Sequence, residues 1–138
     1  MKRLHLGCGS VYLKGYTNID MQGESVRLRP DFKKHNETTR DKYYKWPFRA
    51  NLDTDCYDIR MDCTDLSLYD DNSIDEILAV NLLEHIKKDK MLQACENHWH
   101  RVLKPGGLLI LDTPDIVATC QEVIDHKDNP EEMTERLY

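Results

Sequence analysis

Apolar residues occur in short runs along the chain, and polar or glycine-containing segments separate them. Five of these runs have the length of β-strands, and residues 74–80 have the apolar content of a strand that is buried on both faces of a parallel sheet. The predicted strands are residues 2–6, 16–20, 57–61, 74–80 and 108–112. Crossover connections between them predict a parallel sheet with right-handed links.

Two stretches repeat apolar residues every three or four positions, which predicts amphipathic helices. The first carries Met91, Leu92, Cys95, Trp99, Val102 and Leu103. Residues 104–107 (Lys-Pro-Gly-Gly) end it, because proline cannot continue a helix. The second carries Ile116, Val117, Cys120, Val123 and Ile124, and we expect this face to cover one side of the sheet.

Shorter features set the boundaries of these elements. Thr113, Pro114 and Asp115 predict an N-cap, a first-turn proline and an acidic first turn for the second helix. The link at 10–15 has only six residues, so we expect a single helical turn or a loop there.

A glycine turn follows the first predicted strand and carries the strongest chemical signal. Gly7 and Gly9 lack Cβ, so a ligand can lie against the backbone. Asp20 ends the next predicted strand, where a carboxylate can accept hydrogen bonds from ribose hydroxyls. Tyr12 occupies the position of a third glycine, which argues against a nicotinamide cofactor. These features together indicate a site for a different nucleoside-type cofactor.

Three stretches, in this order, resemble class I S-adenosylmethionine-dependent methyltransferases. They are residues 4–20 with the glycine turn, residues 75–86 (Asp-Glu-Ile-Leu-Ala-Val-Asn-Leu-Leu-Glu-His-Ile) and residues 100–107 (His-Arg-Val-Leu-Lys-Pro-Gly-Gly). The resemblance implies an α/β, Rossmann-like, doubly wound sheet with strand order 3-2-1-4-5. It also implies an enzyme that takes S-adenosylmethionine as cofactor and transfers its methyl group.

The same resemblance assigns roles to individual residues. Asp20 would bind the ribose, Asp62 the adenine amino group, and His85 could act as a base. The alternative for His85 is a structural histidine at a helix start, and Met21 is either an adenine contact or a core residue. The implied cofactor-binding residues are Leu6, Gly7, Cys8, Gly9, Asp20, Met21, Asp62, Cys63 and Asn81, and the candidate catalytic residues are His85 and Glu84.

Composition narrows the classes of partner. A chain of 138 residues fits one domain, with an insertion at 23–55, and its net charge of −6 argues against nucleic acid as a partner. No apolar run approaches the roughly 20 residues that span a membrane. Five cysteines without a C-x-x-C pair indicate reduced thiols in the cytoplasm, and no metal-binding pattern is visible.

Residues 27–49 hold eight Lys or Arg residues, three acidic residues and four aromatic residues. This stretch is either a lid that recruits an anionic substrate or a solvated loop that covers the sheet edge. The methyl acceptor is expected to be a small molecule or a glycan. The alternative is a cofactor-binding or structural domain without catalysis, and methylation of nucleic acid is the weakest hypothesis.

The fifth predicted strand lacks the hairpin with which the resembling family continues. Residues 108–112 (Leu-Leu-Ile-Leu-Asp) contain no lysine or proline to discourage pairing at an open edge. We therefore expect a dimer or larger assembly through this edge. The alternative is that residues 127–138 fold back and cover it.

Overall fold

The computed structural model describes residues 1–25 and 56–125, together with the backbone of residues 37–38 and 49–51. The described strands are β1 (Arg3–Leu6), β2 (Val11–Leu13), β3 (Thr17–Asp20), β4 (Glu24–Ser25), β5 (Glu37–Thr38), β6 (Arg49–Asn51), β7 (Cys56–Tyr57), β8 (Ile59–Arg60), β9 (Ile74–Val80) and β10 (Leu103–Asp112). The described helices are α1 (Lys88–Ala94), α2 (His100–Val102) and α3 (Ile116–Asp125). A 3₁₀ turn (Leu83–His85) precedes α1, and a π-helical turn (Cys95–Trp99) joins α1 to α2.

The central sheet has the order β10-β9-β1-β3-β8, and all four of its strand pairs are parallel. Numbered by the five predicted strands, this order is 3-2-1-4-5, so the predicted Rossmann-like α/β fold is confirmed. β1 lies in the middle and pairs with β3 and β9. The carboxyl ends of these strands therefore meet at one edge of the sheet.

Alternate residues of the central strands pack on opposite faces of the sheet. Leu4 and Leu6 of β1 and Ile77 of β9 belong to the larger apolar cluster, which also contains Trp99 and Val102 of the helical segment. The other face holds a smaller cluster made of Leu13, Tyr16, Leu78 and Val80. Because both faces are covered in this way, β9 is almost entirely apolar, as the sequence predicts for a central parallel strand.

A buried polar network underlies the smaller cluster. His5 and Asn18 have no exposed surface, and Nδ1 of His5 lies 3.1 Å from Oδ1 of Asn18. Since an amide oxygen can only accept, His5 donates from Nδ1. The amide nitrogen of Asn18 donates to the Leu13 carbonyl at 3.1 Å and to Oδ2 of Asp58 at 2.9 Å. The network thus ties the turn before β3 to the start of β8.

The prediction for residues 10–15 is wrong. These residues include β2, which pairs antiparallel with β6, and not a helical turn or loop. Val11 and Leu13 alternate with the tyrosine between them, which suits an extended strand once a partner strand is available. β6 supplies that partner from the stretch predicted as an insertion. Most of that stretch, including the predicted lid, lies outside the described residues.

The predicted cap of the last helix is displaced by two residues. Asp115 is the N-cap in place of Thr113, because Oδ1 of Asp115 accepts from the backbone N–H groups of Val117 and Ala118, each at 3.0 Å. The expectation that this helix covers the sheet is also wrong for the described part of the chain. None of its residues is buried, and Val117 is 79% exposed.

Two other predictions are corrected in detail. Leu92 is exposed and Ala94 is buried instead, since the π-helical turn that follows α1 changes the face presented to the sheet. The predicted third strand is divided into β7 and β8 around Asp58, whose N–H donates to the Asn18 carbonyl at 2.8 Å. β10 does form the edge of the sheet, and its pairing with another chain stays a prediction. In the described ranges no helix is long and apolar enough to cross a membrane.

Acid should weaken the fold through His5. Burial lowers the pKa of His5 from 6.5 to about 4, so the unfolded chain takes up a proton below pH 6.5 and the folded chain does not. Stability should be complete above pH 6.5 and fall by about 3 kcal/mol as the pH falls to about 4. Urea unfolding at several pH values measures the loss. The His5 imidazole resonance, assigned from its absence in His5→Gln, should remain that of the neutral ring down to about pH 4. A transition near pH 6.5 would contradict this account.

Candidate active site

A cavity of about 920 Å³ opens at the carboxyl edge of the central sheet. Its wall is formed by residues that follow β1, β3, β8 and β9, and by one turn of α1. Ligands bind at this edge in open α/β sheets, because the chain reverses direction there and leaves a crevice. The volume lies within the range of pockets that hold cofactors and small substrates.

The turn after β1 uses a backbone conformation that favours glycine. Gly7 and Gly9 both lie in the left-handed region, with φ of +63° and +51°. The N–H of Gly7 donates to the Ile19 carbonyl at 2.9 Å, which holds the turn against β3. A Cβ at Gly7 would lie 2.6 Å from Cδ1 of Leu82. The turn therefore passes close to the segment that follows β9, and only a residue without a side chain fits there.

Asp20 is held in place by the same turn. Its Oδ2 accepts from the N–H of Gly9 at 2.9 Å, and its Oδ1 accepts from the N–H of Gln22 at 3.0 Å. Each carboxylate oxygen has a second lone pair available for a ligand. Asp20 lines the cavity, so its position agrees with the predicted contact with ribose.

Asp62, just after β8, is the most highly connected acid of the cavity. Its Oδ1 accepts from the N–H and the hydroxyl of Thr64, at 2.9 and 2.6 Å, and its Oδ2 accepts from Nζ of Lys90 at 2.8 Å. Burial acts to raise the pKa of Asp62, but the hydrogen bonds from Lys90 and Thr64 outweigh it and lower the pKa to about 2. Asp62 is therefore a fixed, ionised hydrogen-bond acceptor at neutral pH.

The segment after β9 closes the other side of the cavity. Asn81 has φ of +49°, a conformation that residues other than glycine rarely adopt and that occurs often at functional sites. Its N–H donates to the Asp112 carbonyl at 2.9 Å, which anchors the bend to β10. The 3₁₀ turn follows at once and brings His85 to the wall of the cavity.

The structure brings most of the predicted site residues together. Those that line the cavity are Gly7, Gly9, Asp20, Met21, Asp62, Cys63, Asn81 and His85. Met21 is 54% exposed, so it is not a core residue. Its place on the cavity wall agrees with the alternative role, as an adenine contact.

Three predicted site residues have side chains away from the cavity. Leu6 is fully buried in the larger apolar cluster. Cys8 is also buried; its Sγ donates to the Cys56 carbonyl at 3.0 Å, and burial raises the pKa of its thiol. These two residues can serve a ligand through their backbone only. Glu84 is exposed on the 3₁₀ turn and is not part of the cavity wall.

Several residues of the cavity were not predicted, and Lys90 and Thr64 are the most informative. Thr64 follows Asp62 by two positions, a spacing typical of a turn closed by an aspartate side chain, so this signal was present in the sequence. Lys90 is distant in the sequence and reaches Asp62 only because α1 packs beside β8. The described residues contain no group of three or more His, Cys, Asp or Glu side chains that could hold a metal ion.

The fold and the cavity define a Rossmann-like α/β domain with a site for a nucleoside-type ligand. A family model described as a methyltransferase domain matches residues 4–111, and the chain belongs to this class I methyltransferase family. S-adenosylmethionine is the methyl donor that the family implies. Neither the curated proteins nor the solved structures that were compared with the chain gave a significant match.

Gly7→Ala should destabilise the protein more than Gly15→Ala. Both positions have positive φ, 63° and 88°, so each substitution carries a backbone cost of about 1–2 kcal/mol. Only the Gly7 variant also meets Leu82, which adds about 1 kcal/mol or more through overpacking. Urea unfolding of the two variants measures the difference.

The control is the same pair of substitutions in a Leu82→Ala background. Because no atom lies within 4 Å of the added Cβ at Gly15, the two costs should become similar once Leu82 is shortened. A difference that persists in this background would show that contact with Leu82 is not the reason for glycine at position 7.

Proposed function

We propose that this protein transfers the methyl group of S-adenosylmethionine to a small-molecule or glycan-type acceptor. The observation that carries the proposal is the convergence of the glycine turn, Asp20 and Asp62 on one cavity at the carboxyl edge of the sheet. The residues fit the cofactor because the cavity wall holds two carboxylates with acceptor positions for its ribose and adenine donors. Family membership supports methyl transfer in general.

Each part of the cofactor has a matching group in the cavity wall. Asp20 would accept from the ribose hydroxyls, because both of its oxygens are oriented by backbone N–H groups and keep a free lone pair. Asp62 would accept from the adenine amino group, and the N–H of Cys63 would donate to a ring nitrogen. The backbone between Gly7 and Gly9 would serve the charged end of the methionine part.

When bound, the cofactor supplies an activated methyl group on a sulfonium. The protein then has to align the acceptor with this group and keep water out, because proximity and orientation provide most of the rate in such a transfer. The bend at Asn81 separates the adenine side of the cavity from His85. An acceptor that must lose a proton would find in His85 a side chain that can act as a base near neutral pH.

The enclosed cavity and the net charge support a small acceptor. A net charge of −6 opposes the approach of a nucleic-acid backbone, whereas a metabolite or a sugar can enter a cavity of about 920 Å³ beside the cofactor. Lys87 and His85 lie together in the wall, so this part of the cavity suits an acceptor with polar or anionic groups.

Replacing Asp20 should weaken cofactor binding. Asp20→Ala removes the acceptor for the ribose hydroxyls, so the affinity for S-adenosylmethionine should fall about tenfold or more. Asp20→Asn keeps the size of the side chain and one oxygen, and should have a smaller effect in the same direction. Calorimetry with S-adenosylmethionine gives the dissociation constants.

Asp70→Asn is the control for this experiment, because Asp70 is exposed and lies outside the cavity wall. Its affinity for the cofactor should match that of the wild type. Unchanged affinity in a folded Asp20→Ala variant would mean that another acid binds the ribose. No binding by the wild type would refute the proposed cofactor.

His85→Gln should reduce turnover without a comparable loss of cofactor affinity. Loss of a general base lowers kcat by about 10² or more, whereas cofactor binding depends on groups elsewhere in the wall. The acceptor is first found by incubating the protein and methyl-labelled S-adenosylmethionine with fractionated metabolites and glycans. Turnover is then compared for the wild type, His85→Gln and the surface control His100→Gln. Equal turnover of the three proteins would exclude His85 as a base, and cofactor binding without transfer to any fraction would favour a binding domain.

A further inference from the structure

Lys90 in α1 brings a positive charge to the cavity wall, directly beside the acid expected to bind adenine. Its Nζ lies 2.8 Å from Oδ2 of Asp62, and both residues line the cavity. The side chains are 56% and 31% exposed, so this ion pair adds little to folding stability. Its place in the cavity therefore suggests a role in binding.

The hydrogen bonds of Asp62 leave one acceptor position next to a donor. Both lone pairs of Oδ1 are used by Thr64, and within the described part of the chain Oδ2 accepts from Lys90 alone. A carboxylate oxygen has two lone pairs and an ammonium group has three N–H donors. One acceptor position on Oδ2 and two N–H donors of Lys90 thus remain, side by side.

Adenine presents the complementary pair of groups. Its amino group is a donor, and N7 beside it is an acceptor; side chains with an adjacent acceptor and donor read this edge in nucleic acids. The amino group is also flanked by N1, which in the proposed function faces the N–H of Cys63. N7 is then the acceptor that is left for Lys90.

We propose that Lys90 is a specificity-determining residue that donates to N7 of the cofactor's adenine while Asp62 accepts from the adjacent amino group. This inference rests on the proposed function, because it requires an adenosyl cofactor in the cavity. The low pKa of Asp62 agrees with it, since the acid remains an acceptor at every pH at which the protein would work. Lys90 has a second effect, because its charge compensates the carboxylate when the base excludes water from it.

The test measures binding of two ligands that differ at one atom. S-adenosylhomocysteine has N7, and its 7-deaza analogue carries a C–H group at the same position. Calorimetry on the wild type should show about tenfold weaker binding of the analogue, because a charge-assisted hydrogen bond is lost. Lys90→Met should bind S-adenosylhomocysteine more weakly and should no longer distinguish the two ligands.

Lys88→Met is the matched control, because Lys88 is an exposed lysine of the same helix and is not part of the cavity wall. It should keep the full preference for N7, and Lys90→Arg should restore part of the preference that Lys90→Met loses. Thermal unfolding of each variant checks that it is folded, and Lys90→Gln replaces Lys90→Met if that variant is not.

The outcomes separate this inference from the proposed function. Binding of neither ligand by the wild type refutes the proposed function and the inference with it. Binding of both ligands with equal affinity by the wild type, or an N7 preference that survives in Lys90→Met, overturns the inference alone. An equal loss for both ligands in Lys90→Met with the preference retained would show that Lys90 acts only through the charge of Asp62, and this too overturns the contact with N7.

Discussion

The parallel pairing of β1 on both of its edges is the constraint on which the site depends. Because β3 and β9 flank it, β1 has no free edge, and the chain must leave the sheet at the carboxyl end of the strand. It does so in a turn with two left-handed residues, and the N–H of Gly9 then points to the carboxylate of Asp20. One hydrogen bond of 2.9 Å thus joins the ends of two neighbouring strands and fixes the first acid of the cavity.

The second acid is fixed by side chains from outside the sheet. Asp62 follows a two-residue strand at the edge, where backbone pairing alone provides little support. Thr64 and Lys90 supply that support and compensate the charge. Two carboxylates can therefore stay ionised in one cavity, because one is held by backbone N–H groups and the other by an ammonium group and a hydroxyl.

The sequence predicts the central sheet well, for a physical reason. A strand buried on both faces must be apolar along its length, so residues 74–80 and their partners are visible without a structure. The carboxyl ends of parallel strands meet at one edge, so Asp20, Asp62 and Asn81 could be assigned to one site from the strand order alone. Backbone pairing by β2 and β6 could not be predicted, since a short strand exists only when its partner does. The position of Lys90 depends on helix packing, which sequence spacing does not encode.

The cofactor side and the acceptor side of the cavity are linked through one contact. The absence of a Cβ at Gly7 lets Leu82 approach the turn after β1, and Leu82 stands between the bend at Asn81 and the 3₁₀ turn that carries His85. The N–H of His85 donates to the Leu82 carbonyl at 3.0 Å, so the position of the 3₁₀ turn depends on that of Leu82. A displacement of the glycine turn by a bound ligand would therefore be transmitted to His85 through packing. Glycine at position 7 thus serves both sides, because it shapes the turn that faces the cofactor and sets the distance of the residues that face the acceptor.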